Sequence, residues 1–225
     1  DKRAEDASYM SALCFYEGSM DYNLDQTNTD LAINELQNFL NAYPNSEKSK
    51  NINELIDELT YKLEFKAYEN AKQYYKIADY KAANVAFDNV LNDFPSTKLR
   101  SKIYDYILKS RYELALNSVY DLKKDRIENA LSFAKQAERE MPNTDIAKTA
   151  SDLKTKLLKA KEDFLVLEKK VDERKKELFD KQKVDEARIN AEKDLKNAEK
   201  NSEQIKRDSA AQATPSPAAT FKIQK

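Results

Sequence analysis

The chain has 225 residues, and its 39 basic and 40 acidic side chains give a formal net charge of −1. One glycine and five prolines provide too few tight turns for a β-sandwich, a β-barrel or a doubly wound sheet. The chain has no histidine, the commonest general base and metal ligand, and its single cysteine, Cys14, cannot form an intrachain disulfide. This composition predicts an all-α protein that is not an enzyme and uses no metal or cofactor. Cys14 lies in an apolar run and is expected to be buried.

The first predicted pair of helices covers about residues 5–44. Residues 9–17 form one amphipathic helix, and a polar loop, residues 18–29, leads to a second helix that contains Ala32. Pro44 ends the second helix, because proline cannot continue a helix and disfavours the helical conformation in the residue before it.

Two further pairs follow, at about residues 50–95 and 98–142. The residues that define the second pair stand at helical spacing: Ala71 and Tyr74 in the first helix, then Ala83, Phe87 and Pro95. The third pair contains Ala130 in its second helix and ends at Pro142. Each pair is therefore a helical hairpin closed by a proline.

The three hairpins are imperfect copies of one repeat. Ala32, Ala83 and Ala130 each stand twelve residues before a proline, and apolar residues follow each alanine at spacings that draw one helical stripe. This is the pattern of tetratricopeptide (TPR) repeats, which stack into a solenoid. The prolines are 51 and 47 residues apart, whereas a TPR repeat has about 34 residues, so we expect the first helix of each pair to be extended.

The C-terminal third is expected to be one long charged helix, residues 151–208. Its first part should cap the solenoid by burying Leu157, Phe164 and Leu167. The rest fits a solvated helix, a helix docked along a partner, or a self-associating helix. Its nearly balanced charges argue against nucleic acid as a partner. Residues 209–225 are of low complexity and are predicted to be disordered.

Several sequence motifs resemble one known family. The motifs are the pair Tyr9-Met10 with the long loop after it, the segment LQNFLNAYPNS, the helices around Ala71 and Ala83, and the segment KSRYELALNS. Together they resemble the BamD family of TPR lipoproteins, in a form like that of the Bacteroidetes. The resemblance covers about residues 5–150 and corresponds to the later repeats of the family. The first repeats and the lipid-bearing N-terminal cysteine are expected to be absent.

This resemblance implies a non-enzymatic scaffold of the outer-membrane β-barrel assembly machinery, on the periplasmic face of the outer membrane. Its implied partners are the POTRA domains of a BamA-like barrel protein, other assembly subunits and unfolded outer-membrane protein clients. Membrane attachment would come only through the N-terminal lipid. The alternative function is that of a generic TPR adaptor or cochaperone that binds a peptide tail.

The candidate partner-binding residues are Tyr68, Lys72, Tyr75 and Tyr112. Tyrosine and lysine one turn apart on a helix offer aromatic area and charge to a partner. The alternative for the tyrosines is packing against the adjacent repeat. A carboxylate clamp for a peptide tail is a further possibility, and its candidates are Lys72, Lys76, Lys109 and Arg111.

Overall fold

The computed structural model describes residues 2–212, and the side chains of residues 2–207. Within this part of the chain it contains seven helices and no strand: α1 Lys2–Glu17, α2 Thr27–Ala42, α3 Ser49–Lys76, α4 Tyr80–Asp93, α5 Arg100–Leu116, α6 Tyr120–Glu140 and α7 Asp145–Gln212. The predicted fold class, TPR-like helical hairpins followed by a long helix, is confirmed. Residues 213–225, most of the predicted disordered tail, lie outside the described residues.

Helices α1 to α6 pack in chain order. Each contacts the next one along the chain, so α1–α2, α3–α4 and α5–α6 are hairpins, and α2–α3 and α4–α5 join neighbouring hairpins. Ala32, Ala83 and Ala130 are all buried, and each shares its buried cluster with an alanine of the first helix of its pair: Ala12, Ala71 and Ala115. Two small side chains at these positions allow the paired helices to approach closely.

The residue before each proline ends the second helix of its hairpin. Tyr43, Phe94 and Met141 have left the helical conformation, with φ values of −131°, −126° and −128°. Each backbone N–H still donates to a carbonyl four residues back, at Phe39, Val90 and Ala137. Since the clash with the proline ring acts on this one residue, the helix ends follow from the sequence.

The extra length of the repeats is distributed differently from the prediction. Helix α3 has 28 residues, as expected for an extended first helix. In the third hairpin, however, α5 has only 17 residues and α6 has 21, against 14 in the equivalent α4. The prediction was therefore wrong for the third hairpin, because a distance between prolines does not say on which side of the turn the extra residues lie.

Helix α7 contributes to two units of the chain, of which the first ends at Phe164. Leu157 and Phe164 are buried in one cluster with Ile127 and Ala115. The predicted burial of these two residues against the last hairpin is confirmed, and their role as a cap of the solenoid stays a prediction. Leu167 lies in the second unit and is 48% exposed, so its expected burial was wrong.

The second unit begins at Leu165, and its described part is helical to residue 212. Its charged side chains pair along the helix, as in Arg174 Nη1 to Glu177 at 3.1 Å and Arg188 Nε to Glu192 at 3.2 Å. Such pairs at i,i+3 and i,i+4 support an exposed helix. Among the described residues, none of the helices combines the length and apolar character required to span a bilayer.

Cys14 is exposed, contrary to the prediction. Helix α1 turns Tyr9, Ala12 and Tyr16 toward α2 and α3, where they pack in one cluster. Cys14 is two residues from Ala12 and therefore points about 200° away around the helix. The apolar run did not distinguish these two faces.

The turn between α3 and α4 places Ala78 in the left-handed conformation, with φ of 60°. The Asp79 N–H donates to the Tyr74 carbonyl and the Ala78 N–H to the Tyr75 carbonyl, both at 3.0 Å, which is a Schellman motif. An alanine side chain is disfavoured there, so Ala78→Gly should raise the free energy of unfolding by about 1 kcal/mol. Urea unfolding followed by circular dichroism measures the change.

The control for this prediction is Ala82→Gly inside α4, which should instead destabilise the protein by about 0.5–1 kcal/mol. If Ala78→Gly were as destabilising as this helical substitution, the strain assigned to Ala78 would be wrong.

Candidate partner-binding surface

Tyr68 lies in the core rather than on the surface. It is 4% exposed, and its ring centroid is 6.1 Å from those of Phe87 and Tyr106. Burial raises the pKa of Tyr68 to about 12, and the neighbouring Tyr106 and Glu69 add to the effect. This packing matches the alternative that the sequence left open for the tyrosines, and it leaves Lys72 and Tyr75 as the accessible members of the predicted set on α3.

Tyr68, Phe87 and Tyr106 form an aromatic cluster, and Tyr75 is half-buried at its edge. Its ring stands edge-on to Tyr106 at 5.1 Å and to Tyr80 at 5.6 Å. Burial raises the pKa of the Tyr75 hydroxyl, chiefly because the phenolate would lose its hydration. The packing fixes the ring, so that a partner would meet a rigid aromatic edge.

Lys72 lies beside this cluster, one helical turn from Tyr68. Its Nζ is 2.6 Å from a carboxylate oxygen of Glu69 and 5.6 Å from the Tyr68 ring centroid. The hydrogen bond to Glu69 raises the pKa of Lys72. The ammonium is thus held in place while its side chain stays a quarter exposed.

Tyr106 on α5 was not singled out from the sequence, yet it connects the cluster. Its ring is stacked on Phe87 at 5.3 Å with an angle of 11°, and it also contacts Tyr68 and Tyr75. The sequence does indicate that Tyr106 faces the core, because Tyr106 stands three residues after Ile103, on the apolar stripe of α5.

A cavity of about 370 Å³ opens between α3, α5 and the beginning of α7. Tyr68 and Tyr106 line it together with Lys102 and Asp105, and Asp105 pairs with Lys109 at 2.6 Å. We call Lys72, Tyr75, Lys102, Asp105, Tyr106 and Lys109 the α3–α5 surface. It combines fixed aromatic rings with charges of both signs.

Tyr112 is not part of the α3–α5 surface. It is half-buried and packs against the cluster that contains Ala115, Ile127 and Leu157. Helix α5 therefore uses Tyr112 to join the last hairpin to the first part of α7. The structure brings together three of the four predicted residues and places Tyr112 elsewhere.

Three of the four cations considered for a carboxylate clamp already have acidic partners. Lys72 pairs with Glu69, Lys109 with Asp105, and Arg111 Nη2 with Asp88 at 2.9 Å. The Arg111 guanidinium also lies 4.4 Å from the centre of the Phe133 ring. Because these side chains are held by internal contacts, the geometry does not favour a clamp for a peptide carboxylate.

Comparison with known proteins identifies a family for the hairpins. The family model YfiO, described as an outer membrane lipoprotein, matches residues 1–127 of the 225. The match spans α1 to α5 and the beginning of α6. A comparison with curated proteins finds no match.

Proposed function

Because this chain belongs to the YfiO family of outer membrane lipoproteins, the family of BamD, we propose that it is a non-enzymatic scaffold subunit of the machinery that assembles outer-membrane β-barrel proteins. The observation that carries the proposal is the family match, which runs through the helical hairpins. Stacked hairpins offer long surfaces suited to holding other proteins.

In this proposal the protein acts on the periplasmic face of the outer membrane. It docks on the POTRA domains of a BamA-like barrel protein, beside other assembly subunits, and helps unfolded barrel proteins to reach the membrane. The α3–α5 surface supports such a role, since aromatic rings with a charged rim are typical of the energetic centres of protein interfaces. The adaptor alternative is less favoured, because three of its four clamp cations are paired with acidic side chains.

The test measures binding of the full chain to purified POTRA domains by calorimetry. Lys72→Ala combined with Tyr75→Ala should raise the dissociation constant about tenfold or more, because both side chains lie on the α3–α5 surface. The matched control combines Lys76→Ala with Tyr74→Ala on the same helix, where both side chains are exposed and lie outside that surface.

The control pair should change the dissociation constant by less than about twofold, and all variants should keep the helical circular dichroism signal. The proposed function is wrong if the unchanged chain does not bind POTRA domains. The assignment of the α3–α5 surface is wrong if both double variants weaken binding equally.

A further inference from the structure

A second cavity, of about 340 Å³, lies between α3 and the turn that joins α4 to α5. Asp57, Tyr61 and Glu64 line it from α3, Asp93 lines it from the end of α4, and Phe94 and Lys98 line it from the turn. It involves none of the residues of the α3–α5 surface. Its volume is at the low end of the range for ligand pockets, about 300–1,000 Å³, and is large enough to admit a side chain.

Glu64 lies in this cavity as a buried carboxylate without a cation. Its side chain is 7% exposed, and it accepts a hydrogen bond from the Thr97 hydroxyl. The Thr97 hydroxyl oxygen in turn accepts the Leu99 N–H at 2.9 Å. An ionised carboxylate can accept several hydrogen bonds, and burying its charge is costly unless a cation pairs with it. No Lys or Arg of the described residues forms an ion pair with Glu64.

The first hairpin repeats the contact between a hydroxyl after the proline and a carboxylate of the first helix. Ser46 follows Pro44 by two residues, as Thr97 follows Pro95, and its hydroxyl donates to Glu5 at 2.5 Å. Glu5 and Glu64 each stand seven residues before the buried alanine of their own helix.

In the first hairpin Lys48 lies near Glu5, although its ion pair is with Asp6. Its ammonium pairs with Asp6 and lies 4.8 Å from the centre of the Tyr9 ring. The hydrogen bond to Asp6 raises the pKa of Lys48, and the Glu5 charge adds to the effect. The position equivalent to Lys48 in the second hairpin is Leu99, which is buried in the core and carries no charge.

The rim of the second cavity is suited to the same kind of group. Asp57 and Asp93 are exposed acids, and Lys98 is the only cation among the lining residues. Tyr61 is 43% exposed, and with Phe94 it offers aromatic surface to the methylene groups and charge of a basic side chain.

We propose that this cavity receives a lysine or arginine side chain of a partner protein, whose charge pairs with Glu64 and with the acidic rim. The partner's side chain supplies beside Glu64 a positive charge like the one that Lys48 supplies near Glu5 in the first hairpin. The inference does not depend on the proposed function, since it requires only a basic side chain and can be tested without any barrel protein.

The test is an NMR titration of the ¹⁵N-labelled full chain with the peptide acetyl-Gly-Lys-Gly-amide. The backbone amides around Glu64 and in residues 93–98 should shift with the peptide. The same peptide with norleucine in place of lysine, which has a similar shape without the charge, should leave them unchanged. The inference is overturned if the lysine peptide causes no shift at millimolar concentration, or if both peptides cause the same shifts.

Three variants locate the interaction. Glu64→Gln keeps an acceptor for Thr97 but removes the charge, and it should weaken binding of the lysine peptide about tenfold. Lys98→Gln removes the competing ammonium and should strengthen binding about threefold, a gain that misfolding would not produce. Asp125→Asn, on α6 and outside the cavity, is the charge-matched control and should have no effect. Unchanged affinity in both cavity variants would contradict the inference.

Discussion

Phe87→Ala is expected to lower the free energy of unfolding by about 3–5 kcal/mol. The Phe87 side chain is fully buried, stacked on Tyr106 of α5 and close to Tyr68 of α3. Its removal therefore leaves a cavity where α3, α4 and α5 meet, and it also takes away the aromatic contacts. Because these contacts connect the second hairpin to the third, the loss affects the junction between repeats as well as one helix pair.

Urea unfolding followed by circular dichroism measures this effect, with Val85→Ala as the control. Val85 lies on the same helix but is largely exposed, so its replacement should change the free energy of unfolding by less than about 0.5 kcal/mol. A loss below about 1.5 kcal/mol for Phe87→Ala would show that the aromatic cluster does not hold the two hairpins together. The α3–α5 surface would then lack the rigid support assigned to it.

The parts of the fold that depend on local sterics could be predicted from the sequence. Pro44, Pro95 and Pro142 end α2, α4 and α6 because each acts on its immediate neighbour in the chain. The stripes that contain Ala32 and Ala83 are likewise local, since helical periodicity sets which side chains share a face. The hairpins and their order follow from these two signals.

Features that depend on distant segments could not be predicted in this way. Helix periodicity places Tyr68 and Lys72 on neighbouring positions but does not say which of them a second helix will cover. The buried stripe of α7 ends after Phe164, which the continuing apolar pattern at Leu167 does not reveal. The exposure of Cys14 has the same origin, because it depends on which face of α1 meets α2.

The candidate sites also combine local contacts, which a sequence can predict, with contacts between distant segments, which it cannot. The Thr97 hydroxyl accepts the backbone N–H of Leu99, a contact between close neighbours in the chain. Its second contact, with Glu64, joins residues 33 positions apart in the chain. No spacing rule connects two such residues. The contact between Thr97 and the buried Glu64 carboxylate depends on the packing of α3 against the turn after α4.

Leu157→Ala is expected to lower the free energy of unfolding by about 2–5 kcal/mol, although Leu157 lies outside the hairpins. Its side chain is 1% exposed and packs with Phe164 against Ala115 and Ile127 of the last hairpin. The terminal repeat of a solenoid has one apolar side that no further repeat covers, so that side has to be protected. We infer that residues 145–164 of α7 provide this protection.

Leu158→Ala is the matched control, because the neighbouring leucine is half-exposed and should cost less than about 1 kcal/mol. Hydrogen exchange distinguishes capping from a general loss of packing. In Leu157→Ala the amides of α5 and α6 should exchange faster, while those of α1 and α2 keep their protection, since each repeat of a solenoid is stabilised mainly by its neighbours. Equal effects of the two leucine substitutions, or uniform loss of protection from α1 to α6, would contradict a capping role for this part of α7.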